Sequence, residues 1–209
     1  MFTKEEIAEI QAVKERALKL IDSKLYFTPP HADEELRRLV GRGILTGGVF
    51  ASLFHNQLPH DFDIYFKDDR DIVAANKYFL DEKNIPLIKD INPAYIHTVV
   101  DGKCFTANAV TLDNDLQFIM LGNSNMRKFF DFVHCMPYLD LDSKKFYISG
   151  DQYRAIKTRY LVKNPAGHTP TRKRIEKYMD RGYRFSPEID ALYMTYINNS
   201  QATSQAVAF

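Results

Sequence analysis

Long apolar runs are missing from this 209-residue chain. No stretch approaches the roughly 18 uninterrupted apolar residues that cross a bilayer, so no membrane association is expected. The opening MFTKEEIAEIQ puts Glu5 and Glu6 where a secretory signal needs basic and then apolar residues, which points to a cytoplasmic setting. Cysteine is scarce. Cys104 and Cys135 allow at most one bridge, which excludes a disulfide scaffold and reads as two reduced thiols. Nine glycines and nine prolines exclude collagen-like and low-complexity classes. No internal repeat is visible. Net charge is nearly absent too, at +1, but that small value hides a segregation along the chain.

What is present is a globular composition, 45% hydrophobic and 26% charged, sufficient for one core. Tyr153 to Arg184 holds ten basic residues against Glu176 and Asp180, a local charge of +8, which leaves −7 for the rest. Such a run is either a solvated helix face or a phosphate-attracting surface for nucleotide or nucleic acid. Tyr153, Tyr160, Tyr178 and Tyr183 interleave with it, a mixture that suits base stacking and equally suits packing of helices.

Thr3 and Glu6 form a capping box before Ile7, Ile10, Val13, Ala17, Leu18 and Ile21, so a helix is expected to about Asp22. A second helix is expected over 32–42. Then follow a strand and glycine turn (GILTGG, 43–48), a short helix over 49–55, and an alternating strand, DFDIYF, over 61–66. A helix over 68–82 and strands over 95–100, 104–112 and 116–121 complete a small mixed sheet. A helix is expected over 125–134, a hairpin about Asp142-Ser143, and helices over 151–163, 170–181 and 187–198. The fold class is therefore α+β. Its organisation is a domain over 1–149, a basic helical region over 150–198 and a mobile tail over 199–209.

The chemistry concentrates in LTGGVFASLFHNQLPHDFDIYF, residues 45–66. Asp61 and Asp63 are two apart on the expected strand, which puts both carboxylates on one face with Cα atoms roughly 6 to 7 Å apart. Two adjacent carboxylates repel unless a cation lies between them, and hard oxygen ligands suit Mg²⁺ or Mn²⁺. Gly47 and Gly48 let backbone approach a ligand, and amides entering the next helix can hold phosphate oxygens.

Two glycines, twelve residues and then Asp-x-Asp flanked by apolar residues resemble the signature of the nucleotidyltransferase superfamily, the fold of DNA polymerase β and of poly(A) and CCA-adding polymerases. The resemblance covers residues 43–121 as a fold core. It implies that Gly47, Gly48 and Ser52 contact the β and γ phosphates of an NTP and that Asp61 and Asp63 bind two Mg²⁺. It further implies transfer of an NMP to a hydroxyl acceptor, an RNA (such as a tRNA 3′ end) or DNA, with Lys157, Arg159, Arg172 and Lys173 neutralising phosphate. The later portion, from FDFVHC onward, also resembles nucleotidyltransferase-like proteins of tailed bacteriophages.

One departure bears on catalysis. The family supplies a third carboxylate from a later strand, and LQFIML offers Gln117 there, an amide that binds metal poorly and accepts no proton. Asp131 is taken as the third catalytic acid, with Asp101 or no third acid as the alternatives. Loss of that acid would leave a nucleic-acid-binding module on the same fold. A further alternative is a nucleotidyltransferase that modifies a protein or small molecule. His97, Cys104, His134 and Cys135 lack zinc-ligand spacing, and His55 and His60 flank the loop before Asp61.

Overall fold

Ile10, Val13, Ala17, Ile21 and Leu25 recur every three or four residues and are all buried, which makes Lys4–Phe27 one helix, α1. Its stripe runs past the expected end near Asp22. Its first turn carries the expected box: Thr3 N donates to the Glu6 carboxylate at 2.8 Å, and Glu6 N donates to Thr3 Oγ1 at 3.2 Å. The computed structural model describes residues 2–27, 34–80, 88–92, 98–100, 103–105, 109–120 and 130–206.

Next come α2 (Glu34–Arg42), β1 (Gly43–Thr46), α3 (Gly48–Phe54), β2 (Phe62–Phe66) and α4 (Asp69–Leu80). Five strands follow: β3 (Ile88–Asn92), β4 (Thr98–Val100), β5 (Lys103–Phe105), β6 (Ala109–Leu112) and β7 (Leu116–Ile119). A 3-10 turn at Val133–Cys135 leads to β8 (Tyr138–Asp140) and β9 (Lys145–Tyr147). The chain ends in α5 (Gly150–Thr158), β10 (Tyr160–Leu161), α6 (Arg172–Met179), β11 (Arg184–Phe185) and α7 (Pro187–Ala206).

Seven strands form one mixed sheet in the order β3-β6-β7-β2-β1-β8-β9. The β2–β7 pair is parallel and the other pairs are antiparallel. The protein is thus α+β, with a seven-stranded mixed sheet, flanking helices and a C-terminal helical region. The period of two in β2 sorts its side chains. Phe62, Ile64 and Phe66 join the core beneath α1 to α4 with Leu116 and Phe118. Tyr65 joins a second cluster with Ile119, Phe132, Ile175 and Tyr178 beneath the C-terminal segments. The central strand is therefore covered on both faces.

Several expectations needed correction where tertiary pairing overrode local pattern. The single strand expected over 104–112 is two segments in different sheets, because Lys103–Phe105 pairs with Thr98–Val100 and Ala109–Leu112 pairs with β3 and β7. The β3 strand was not anticipated. Of the helix expected over 125–134, residues 125–129 lie outside the described residues. Phe132 is extended, at φ −120° and ψ 143°, because it bridges Lys163 while Val133 N donates to Val162 O at 2.9 Å. The helix expected over 151–163 stops at Thr158, where Arg159 turns left-handed at φ 52° and Tyr160 pairs with Arg184. Where a mobile tail was expected from 199, the last helix continues to Ala206.

Candidate active site

Strand β1 ends at Thr46, whose hydroxyl donates to Pro137 O at 2.9 Å, and Gly47 N donates to Cys135 O at 3.2 Å. These bonds clamp the glycine turn to the 3-10 turn. Gly47 takes φ +86°, a region that L side chains disfavour. A Cβ there would overlap the Asp63 carboxylate, so the absent side chain is what admits that group. Gly48 starts α3 and faces Tyr178 and Arg181 across a gap that a Cβ would just fill.

Asp63 pairs in parallel register with Gln117, and Tyr65 with Ile119. All four line a cleft of about 550 Å³ together with Gly47, Gly48, Asp61 and Asp131, a volume within the range of small-molecule sites. Asp61 lies one residue before β2 and still shares the cleft with Asp63. Burial first, and the neighbouring Asp61 charge second, push the Asp63 carboxyl up to about 7, against the opposing pull of Arg174 and Lys177. Gln117 Nε2 donates to Thr111 Oγ1 at 3.1 Å, so the amide stands fixed where the resemblance implies a carboxylate.

The opposite wall is α6. Thr171 caps it, accepting from Arg174 N at 3.3 Å, and the helical spacing turns Arg174, Lys177, Tyr178 and Arg181 into the cleft. Arg174 grips Asp131 with two bonds, Nε to Oδ2 at 2.8 Å and Nη2 to Oδ1 at 3.4 Å. Its guanidinium and that of Arg181 lie 5.2 and 5.6 Å from the Tyr178 ring centre, and Tyr178 Oη lies 3.0 Å from Cys135 Sγ. Beneath them His134 is fully buried among Phe132, Tyr178 and Tyr183, and neither ring nitrogen has a hydrogen-bond partner. Burial holds its pKa down to about 3, so it is neutral.

The cleft thus gathers Gly47, Gly48, Asp61, Asp63 and Asp131 of the sequence-derived residues. It does not gather the others. Ser52 sits further along α3, half-buried and off the cleft wall. Lys157 pairs with Glu9 at 2.6 Å, Arg172 pairs with Glu176 at 2.8 Å, and Arg159 caps α5. Lys173 lines a neighbouring cavity of about 590 Å³ along α6. The cations in the cleft are Arg174, Lys177 and Arg181, which charge counting could not separate from their neighbours; the spacing of three and four residues was the available signal. His55 meets Ile156 O at 2.9 Å, and His60 is exposed, both away from the cleft. Asp101, His97 and the Cys104 side chain lie outside the described residues. Cys135 is a free, buried thiol.

Among the described residues no group of three or more Asp, Glu, His or Cys is arranged to enclose a metal ion. The Asp61–Asp63 pair beside a glycine turn fits a cation of another habit. Mg²⁺ keeps several waters and is held by one or two carboxylates plus substrate phosphates.

The family model of Gad2, described as Gabija anti-defense 2 family protein, matches residues 18–159. A curated relative, Gabija anti-defense 2 of Bacillus phage SPbetaL7, is 27% identical over 182 residues, covering 83% of this chain and 42% of its own length. The chain therefore spans less than half of that relative. Similar solved structures include the Thermotoga maritima CCA-adding enzyme complexed with tRNA, at 12% identity, TM-score 0.46, and coverage of 86% of this chain and 45% of that one. A CCA-adding enzyme in complex with CTP matches at 13% identity, TM-score 0.48, and coverage of 87% and 44%. Among the described residues no helix is long and apolar enough to cross a membrane.

Proposed function

The chain belongs to the Gabija anti-defense 2 family, and from that premise we propose that it is a metal-dependent nucleotidyltransferase, moving an NMP from an NTP to an acceptor oxygen. The observation that carries this reading is the convergence of Asp61 and Asp63, at a glycine turn, with Arg174, Lys177 and Arg181 on the facing helix of one cleft. Bound Mg²⁺ or Mn²⁺ would supply charge neutralisation between the carboxylates and polarisation of the phosphates. Asp61 and Asp63 would hold it. Gly47 and Gly48 leave room for a triphosphate to come against the backbone, and Lys177 and Arg181 balance its charge from the other wall. Positioning and charge stabilisation suffice for much of such chemistry. The anti-defense role in the family's name would run through this transfer.

The test is incubation with α-³²P-labelled NTPs, Mg²⁺ or Mn²⁺, and RNA, DNA, protein or small-molecule acceptors, beside Asp61→Asn and Asp63→Asn. Label transferred by the wild type and lost in both variants is the expected result. Gln117 favours a second reading, a catalytically inactive module that binds nucleotide or nucleic acid. Metal-dependent NTP binding without transfer to any acceptor would select it.

A further inference from the structure

Nucleotidyl transfer to a hydroxyl requires a group that takes the hydroxyl proton, and among the described residues the candidates on the cleft wall are three carboxylates and the His168 imidazole. Among the described residues its carboxylates are Asp61, Asp63 and Asp131. The first two are the proposed metal-facing pair. Asp131 has both oxygens engaged by Arg174, which makes it a positioning residue for that guanidinium. The strand position beside Asp63 carries Gln117, whose amide is held by Thr111 and accepts no proton. Positive charge is plentiful by contrast. Lys177 and Arg181 face the cleft with no salt bridge to a described carboxylate, Arg174 lines it while bonded to Asp131, and His168 and Thr169 add further polar groups to its lining.

We propose that the acceptor is a phosphate monoester, whose attacking oxygen already carries its negative charge. This rests on the nucleotidyl-transfer reading above and names its substrate class. An oxygen of the acceptor phosphate attacks the α-phosphorus of the NTP and forms a new P–O–P bond. The bond from the α-phosphorus to the α,β-bridging oxygen breaks, and pyrophosphate leaves with the electron pair. The nucleophile has no proton to lose at neutral pH, because a phosphate monoester loses its second proton near pH 6. The cationic wall then serves two anions, the triphosphate and the acceptor, and neither Gln117 nor the locked Asp131 is a defect.

Two sources supply this chemistry, a nucleoside monophosphate and a 5′-phosphorylated nucleic-acid end. The experiment therefore offers AMP against adenosine, and 5′-phosphorylated against dephosphorylated RNA and DNA oligonucleotides, with α-³²P-NTP and Mg²⁺. The expected product resists alkaline phosphatase and releases labelled NMP with a pyrophosphatase that cleaves P–O–P bonds. The phosphorylated acceptor should be favoured by about 10²-fold or more, the scale of a missing general base. Gln117→Glu should then raise labelling of the dephosphorylated oligonucleotide, with wild-type nucleotide binding showing that it has folded. Equal labelling of dephosphorylated acceptors by the wild type overturns the inference and leaves nucleotidyl transfer standing; its loss in His168→Ala would name the base. No labelling of any acceptor, with metal-dependent NTP binding intact, overturns both.

Discussion

The Asp63 carboxylate occupies the space that a side chain on Gly47 would fill, so the turn and the acid are built as one unit. Gly47→Ala imposes two penalties, a Cβ at φ +86° and a clash with that carboxylate. Loss of about 1 to 3 kcal/mol is expected. Urea unfolding measures it, and Gly41→Ala, where a Cβ meets nothing within 4 Å, serves as the control.

Metal binding should follow the Asp63 proton. With its pKa raised from 3.8 to about 7, the carboxyl is largely protonated at pH 6 and ionised at pH 8. Mg²⁺ or Mn²⁺ affinity should therefore rise roughly tenfold per pH unit below 7 and level off above it. Titration calorimetry across pH 5.5 to 8.5 would show a flat profile if the carboxyl were ionised throughout.

The same shift sets a stability slope in metal-free protein. An acid whose folded pKa is raised favours the fold while protonated and penalises it as pH climbs from about 4 through 7. Asp63→Asn removes the penalty, so the variant should be more stable than the wild type at pH 8 and nearly equal at pH 4. Thermal midpoints at the two pH values are the measurement. Nucleotidyl transfer should nevertheless fall at least about 10³-fold in this variant.

His134 carries two buried ring nitrogens without partners. With a folded pKa of about 3, the unfolded chain binds its proton first, so stability falls as pH drops below about 6.5. The cost is about 1.4 kcal/mol per pH unit until about pH 3. His134→Leu should flatten that acid limb and leave neutral-pH stability unchanged or higher, because two unsatisfied polar atoms disappear. An unchanged acid limb would show that His134 does not carry it.

Asp131 and Arg174 tie α6 to the sheet side of the cleft. Asp131→Asn should lower stability by about 2 kcal/mol, lowering the thermal midpoint by roughly 5 °C, since a partly buried guanidinium loses its charged partner. Nucleotide KM should rise with it as Arg174 loses its fixed position.

The legible parts of the fold were those with one strong local period. The α1 stripe, the β1–turn–α3–β2 unit and the hairpin about Asp142-Ser143 stand where periodicity and turn chemistry place them. Phe132 and the Tyr160–Leu161 strand were not legible, because they pair with Lys163 and with Arg184 and Phe185, distant partners that no local pattern announces. In the site, Gly47, Gly48, Asp61 and Asp63 were readable because a short segment carries them all. Arg174, Lys177 and Arg181 were not, because ten basic residues share one composition and only packing decides which face the cleft.

By itself, the sequence determined the α+β class, the glycine turn, the carboxylate pair and the amide at position 117, since each follows from residue type at short spacing. Tertiary structure decided that Asp131 is held by Arg174, that Lys157 is spent on Glu9, and that Gln117 stands beside Asp63. These are encounters between segments far apart in the chain. They depend on how two sheet faces are covered, which no single stretch encodes.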